Sequence, residues 1–239
     1  MILGIDQGTT GTTAVVLSHK GKVLGRATTP VKQFFPEPGW VEHDPRNIWK
    51  TVETSVVSAL RKARVNPKKI SCIGLTNQRE TVSLFRGSEP MHRFIVWQDR
   101  RTSSFCDQLQ KNEESIIKIA GTPVDPYFSS SKIRWLLEAL QIEQTSSTMR
   151  FRTIDSFLIY QMTGADVMEA TNASRTSLMD LDSCTWSDEL FEIYGIPRSL
   201  APRIIPSQNS ELRTKGLKFL PDGIPVSACL GDQQAALFG

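Results

Sequence analysis

The chain has 239 residues, 39% of them hydrophobic and 22% charged, an ordinary globular composition with enough length to bury a core. With 28 basic against 25 acidic residues, the formal charge of +3 is too slight to argue for nucleic acid or an acidic membrane as partner. Four cysteines without a Cys-x-x-Cys pair argue against a zinc site or disulfide framework. With no leader and no membrane-length apolar run, they suggest a cytoplasmic protein without membrane insertion.

The first apolar run, Ile2 to Ile5, is short and β-branched and predicts a buried strand; Ala14 to Leu17 predicts a second. Between them lies Asp6-Gln7-Gly8-Thr9-Thr10-Gly11-Thr12-Thr13. Glycines there let a ligand approach the backbone, and successive N–H groups and hydroxyls form a concave donor surface suited to phosphate oxygens. Asp6, at the strand end, could hold a hydrated magnesium ion. The competing reading is a hairpin with good β propensity and Asp6 as a plain turn residue. The stretch is neither a Walker loop nor Gly-x-Gly-x-x-Gly. It resembles the first phosphate loop of the actin-like, ribonuclease-H-like ATPase fold.

Val23 to Val31 predicts a third, antiparallel strand. Phe34 to Pro45, rich in aromatics and prolines, predicts a packed loop without regular structure. Asp44-Pro45 reads as a helix cap and first position, and Ile48, Val52, Val56, Ala59 and Ala63 carry that helix to about Arg64. Ile70 to Thr76 and Val82 to Phe85 predict further strands. The resulting order of strand, strand, strand, helix, strand fits an α/β domain of the actin-like kind, a mixed central sheet flanked by helices.

Asn77-Gln78-Arg79-Glu80-Thr81 places five polar residues between two strands. Arg79 could donate to, and Glu80 accept from, adjacent hydroxyls of one ligand, or the two charges could simply pair with each other. Phe94 to Val96 leads to Trp97, either a cover for the carbon side of a small polyol or a core residue. Asp99-Arg100-Arg101 reads as a structural ion network. One helix is predicted to follow, carrying Phe105, Leu109 and Ile116. Tyr127, in a two-proline loop, either donates its hydroxyl to a ligand or packs.

Helices are predicted with Ile133, Leu136, Leu137 and Leu140 on one side, over Thr153 to Met162, and over Trp186 to Tyr194. Asn172 to Thr176 reads as a polar loop, and 198–223 as loop-rich. Near the end an apolar strand runs into Gly231-Asp232 and a helix start. Asp232 is therefore at a strand's carboxyl end and a helix's amino end, either a functional carboxylate or a plain N-cap.

Seven segments in order resemble the FGGY carbohydrate kinases, and within them the members that phosphorylate glycerol. They are Asp6-Gln7-Gly8-Thr9-Thr10, Pro38 to Pro45, Asn77 to Thr81, Val96 to Arg101, Asp125 to Ser129, Asn172 to Thr176, and Gly231 to Gly239. The resemblance implies ATP-dependent phosphorylation of glycerol or a similar small polyol, with Asp232 as base. Arg79, Glu80, Tyr127, Asp232 and Gln233 would bind the hydroxyls and Trp97 would cover the carbons. Thr9, Thr10 and Gly11 would meet the nucleotide phosphates, and Asp6 would help hold Mg2+.

The resemblance also implies that residues 1–239 are an amino-terminal, substrate-binding half whose nucleotide-binding partner domain lies outside them. A half of this kind would turn over little ATP alone; a homo-oligomer is compatible with it. The rival readings are a kinase of the same family for another polyol or sugar, and a non-catalytic scaffolding module. The chain departs from the family in two places: Gly11-Thr12-Thr13 stands where these enzymes usually carry Ser-Ser-Arg, so the basic residue is absent at Thr13, and Glu169 stands where they tend to have Asp.

Overall fold

The computed structural model describes residues 1–239. In β1 (Ile2–Gln7) Leu3, Ile5 and Gln7 are buried on one face, leaving Gly4 and Asp6 on the other. β2 (Gly11–Leu17) repeats the alternation with Thr12, Ala14 and Val16. It starts three residues before the predicted Ala14, because Gly11, Thr12 and Thr13 continue the pairing with Pro30, Thr29 and Thr28 of β3 (Val23–Pro30). The connection between β1 and β2 is thereby cut to Gly8-Thr9-Thr10.

Asp44 caps α1 (Pro45–Ala63) as expected, accepting from the Arg46 N–H at 2.8 Å. Ile48, Val52, Val56 and Ala59 make its fully buried side and pack on β2 and β3. The closest approach is at Gly25, where a Cβ would overlap the Ala59 carbonyl and the Ala63 amide. Only glycine fits under the helix there.

The chain then returns as strand Cys72–Asn77, parallel to β1, and strand Val226–Gly231 adds parallel on its far side. Across the sheet the order is Val226–Gly231, Cys72–Asn77, β1, β2, β3, the mixed sheet expected from the sequence. Parallel pairing sets Gln7, Asn77 and Gly231 side by side. Three strand carboxyl ends meet at one rim, the usual ligand edge of open α/β sheets.

A second sheet orders Met149–Thr153, Val82–Arg86, Phe94–Ile95, Glu42–His43 and Gln33–Phe34, the first three from the segment between Cys72–Asn77 and Val226–Gly231 and the last two from the segment between β3 and α1. Strand Val82–Arg86 divides two cores: Val82 and Leu84 join a cluster with Ile95, Ile133 and Leu136, whereas Phe85 joins the first sheet's cluster with Phe94 and Phe157. The rings of Phe85 and Phe157 stack at 5.6 Å. Burial on both sides fixes where the chain crosses from one sheet to the other, and that crossing is Gln78 to Thr81.

Some segments differ from the sequence expectation. Met149–Thr153 is a strand, antiparallel to Val82–Arg86; its arginines disguise it, and Arg152 is buried against Asp166. Asn172 to Thr176 is helical, not a loop, since Glu169 caps Ala170–Ala173 through the N–H groups of Thr171 and Asn172 and a 3-10 turn follows. Trp186 lies in a two-residue strand, and the helix begins at Asp188 behind the Ser187 cap. The single helix predicted after Arg101 divides into Ser103–Leu109 and Glu113–Ala120. In the aromatic loop Gln33–Phe34 pairs with Glu42–His43, and Phe35 is exposed rather than packed. No helix is long and apolar enough to cross a membrane.

Candidate active site

At the rim, the short turn after β1 presents unused donors. Its Gly8 N–H bonds the Gly11 carbonyl at 3.0 Å and the Thr10 carbonyl receives the Val31 N–H at 3.0 Å, while the N–H groups of Thr9 and Thr10 meet no protein acceptor. The Thr9 hydroxyl is occupied: it accepts from Trp97 Nε1 at 2.9 Å and donates to Gln78 Oε1 at 3.5 Å. Gly11 answers to β3, since a Cβ there would come within 3.2 Å of the Thr29 carbonyl.

Arg79 and Glu80 do not pair with each other. Glu80 has φ 61, a left-handed conformation that costs a non-glycine residue about 1–3 kcal/mol and is held only where the surroundings impose it. Here the Thr81 N–H bonds the Arg79 carbonyl at 2.7 Å and Ser129 Oγ bonds the Glu80 carbonyl at 2.8 Å. The reversal sends the two side chains apart. Glu80 turns inward, where Arg175 Nε donates to its Oε1 at 2.7 Å. Burial pushes its carboxyl up, and Arg175, Arg79 and Lys132 oppose that push.

Arg79 passes across Gly231, where any Cβ would overlap its Cγ and Cδ. It reaches Asp232 Oδ1 from Nε at 3.1 Å and Gln234 Oε1 from Nη1 at 3.4 Å. Asp232 is the first residue of helix Asp232–Phe238 and Gly231 is its N-cap, so the plain-cap reading of Asp232 does not hold. Oδ1 also accepts the Gln233 N–H at 2.7 Å, and Oδ2 has no protein donor. Gln233 itself is exposed and touches none of the other candidates through its side chain; Gln234 is the neighbour that reaches in.

One wall is aromatic. Trp97 and Tyr127 meet edge to face at 5.6 Å, and Arg175 lies over the Phe128 ring at 4.9 Å. Burial raises the Tyr127 phenol, with Glu80 adding to the effect and Arg79 and Arg175 opposing it. The loop carrying Tyr127 is stapled from beneath by Lys132, fully buried, whose Nζ donates to the carbonyls of Pro126, Tyr127 (2.9 Å) and Phe128 (3.2 Å). Burial lowers its ammonium to about 7, against the pull of Asp99 and Glu80.

Asp6 stands two strands from the one that ends at Gly231, with Thr76 as its register partner between, so two interstrand spacings of about 4.8 Å separate the chains. Its tip is open to solvent, yet partial burial raises its carboxyl, the charge of Asp232 raises it further, and Arg26 opposes both. A divalent cation between the carboxylates would relieve that repulsion. The Thr76 hydroxyl beside Asp6 is buried without a partner. No set of three or more His, Cys, Asp or Glu side chains forms a metal cage. These donors suit Mg2+, which keeps several waters and takes its other ligands from phosphate.

Beneath these groups lies a buried amide network the sequence does not single out. Gln78 Nε2 lies 3.2 Å from Gln7 Oε1 and 3.4 Å from His43 Nδ1, and Thr81 Oγ1 donates to Gln78 Oε1 at 2.9 Å. Burial alone lowers His43 to about 4, so the ring is neutral near neutrality. Arg175 was also missed, because Asn172 to Thr176 carries no chemical pattern by itself. Lys132 was hidden in an apolar helix. The predicted ion network is present: Arg101 Nη2 reaches Asp99 at 2.8 Å and Glu42 at 2.9 Å, and Arg100 pairs with Asp125 at 2.8 Å.

The mixed sheet, with unused N–H donors after β1 and Arg79, Glu80 and Asp232 gathered at neighbouring strand ends, is that of a carbohydrate-kinase domain. The chain belongs to the FGGY family of carbohydrate kinases, whose N-terminal domain model matches residues 1–239. It is 42% identical to a glycerol kinase of Bdellovibrio bacteriovorus and 44% identical to one of Myxococcus xanthus, in each case over the whole chain and 50% of the relative. The crystal structure of Plasmodium falciparum glycerol kinase with ADP superposes with a TM-score of 0.91 at 30% identity, over 98% of this chain and 49% of that one. A xylulose kinase of Rhodospirillum rubrum matches with a TM-score of 0.89 at 22% identity, a likeness of fold. The fold is the actin-like ATPase fold of these kinases. The chain spans about half the length of the curated relatives it matches.

Proposed function

We propose that residues 1–239 are the substrate-binding half of an enzyme that phosphorylates glycerol with ATP, and that a second domain, outside these residues, holds most of the nucleotide. The supporting observation is Asp232: Arg79 and the Gln233 N–H fix one carboxylate oxygen, leaving the other without a protein partner at the rim where donors for phosphate also stand.

In this reading Arg79 donates to, and Glu80 accepts from, adjacent glycerol hydroxyls, with Tyr127 and Gln233 adding further polar contacts. Trp97 covers the carbons. Asp232 takes the proton of the attacking hydroxyl, a role worth typically about 10² to 10⁴ in rate. Free N–H groups of Thr9 and Thr10, next to Gly11, meet phosphate oxygens. Asp6 and Asp232, with the Thr76 hydroxyl beside Asp6, are the residues that would hold Mg2+, which when bound would supply charge neutralisation at the transferring phosphate. The protein's contribution is alignment and fixed charge, which is what phosphoryl transfer asks for.

The test is formation of glycerol 3-phosphate from ATP by the complete two-domain protein, run beside xylulose and other polyols. Asp232→Asn is expected to lose turnover by about 10² to 10⁴ while still binding glycerol. Unchanged turnover in that variant, or preference for a sugar over glycerol, would reject the reading.

A further inference from the structure

Glu169 is fully buried and has no basic partner. Its two oxygens collect five donors: Thr171 N at 2.8 Å, Thr171 Oγ1 at 2.6 Å, Asn172 N at 3.1 Å, Asn172 Nδ2 at 3.0 Å and Ser207 Oγ at 2.6 Å. A carboxylate so saturated has no capacity left for a ligand. What it does is orient two side chains.

Having donated its proton to Glu169, the Thr171 hydroxyl presents its lone pair to the Gly231 N–H at 2.9 Å. Gly231 is the residue before Asp232 and the last of its strand. Asn172, whose amide group donates to Glu169, presents its Oδ1 to Asn77 Nδ2 at 2.8 Å, and the same Nδ2 bonds the Gln78 carbonyl at 2.8 Å. One buried carboxylate therefore fixes two strand ends: that bearing Asp232 and that bearing Arg79. These two are bonded to each other across the rim at 3.1 Å. The hydroxyl donates to Glu169 and accepts from Gly231, so the buried carboxylate fixes the direction of its O–H and leaves a lone pair for the strand end.

We propose that Glu169 and Thr171 form a positioning relay that holds Asp232 at the height needed for proton transfer. This rests on the glycerol kinase reading and goes beyond it, since neither residue touches the polyol. A shift of about 1 Å at a reacting group costs on the order of 10² in rate. Displacement of the Gly231 peptide is such a shift.

The test uses the complete protein and three variants. Thr171→Val removes both halves of the relay at constant volume, Thr171→Ser keeps the hydroxyl, and Thr214→Val is a matched control. Thr214 is another buried threonine, which donates to the Pro221 carbonyl and accepts the Ile224 N–H near the opposite end of the same strand. Expected are a fall in kcat of roughly 10- to 100-fold for Thr171→Val, with KM for glycerol changed less than about threefold. Thr171→Ser is expected to recover most of the rate, and Thr214→Val to keep it. Equal kcat in the two valine variants, a loss confined to KM, or no recovery with serine would overturn the relay. Absence of glycerol phosphorylation by the unmodified protein would instead overturn the functional reading on which it rests.

Discussion

Trp97 donates its indole N–H to the Thr9 hydroxyl at 2.9 Å, so the aromatic wall it forms with Tyr127 is bonded to the turn whose Thr9 and Thr10 N–H groups meet no protein acceptor. The same hydroxyl donates onward to Gln78, and the three side chains lock the turn to the floor of the pocket. Trp97→Phe keeps the apolar cover and deletes the bond. With one neutral hydrogen bond worth about 0.5–1.5 kcal/mol, glycerol affinity is expected to fall roughly two- to tenfold. Titration calorimetry with glycerol on the wild type and the variant measures this; equal affinities would mean the bond does not position the ring.

Arg175 is the partner of a buried glutamate, and removing one member of such a pair strands the other. Arg175→Met keeps the stem that packs on Phe128 and removes the bond to Glu80. Glu80 is then buried without its main counter-charge, and protonation becomes its easiest escape. A protonated Glu80 is a weaker acceptor for the hydroxyls it is proposed to bind. The expected outcome is a destabilisation of about 1–3 kcal/mol in chemical unfolding, and a loss of glycerol affinity that is larger at pH 5 than at pH 8.

The strand ends of this candidate site were legible in the sequence: Asp6 and Asp232 stand where apolar runs stop, and Arg79 lies in the polar stretch that follows another. Their convergence follows from parallel pairing of those runs, which the order of elements implied. Gln78, His43 and Lys132 were not legible, since their work is to satisfy buried polar groups brought together only by the fold. Met149–Thr153 escaped for a related reason. Arg152 reads as a surface residue, and the Asp166 carboxylate, the Gly87 carbonyl at 2.7 Å and the ring of Tyr160, 3.6 Å away, make its burial acceptable. The partners of Arg79 and Glu80 were likewise invisible, because the reversal at Glu80 depends on Ser129, far along the chain.

His43 gives a pH dependence of definite sign. Its folded value of about 4 lies below the ordinary 6.5, so between those values the unfolded chain binds the proton that the folded chain refuses. Stability is therefore full above pH 6.5 and is lost as the pH falls toward 4, at no more than about 1.4 kcal/mol per pH unit from this group. Replacement by glutamine, which can still bond Gln78, is expected to flatten that slope. Urea unfolding of wild type and His43→Gln at pH 7, 6 and 5 checks it, and parallel slopes would contradict it.

The last expectation concerns Gly231. Arg79 crosses directly over its Cα to reach Asp232, and a methyl group there would overlap Arg79 Cγ, Cδ and the Gln234 amide oxygen. The backbone of Gly231 is in an ordinary extended conformation, φ −59 and ψ 153, so alanine brings no dihedral penalty. Its effect is steric and falls mainly on the Arg79 side chain, with a smaller overlap at Gln234 Oε1. Arg79 is the flexible member and gives way, separating its guanidinium from Asp232 and from the site assigned to the substrate hydroxyl. Gly231→Ala is therefore expected to cost about 1–3 kcal/mol of stability, the usual range for a forced side-chain shift, and to weaken glycerol binding as Arg79→Ala does. The double variant should bind no worse than Arg79→Ala alone, because with the arginine shortened the methyl group meets only the far end of the Gln234 side chain, which is free to turn away. Additive losses in that cycle would show that Gly231 acts by some route other than Arg79.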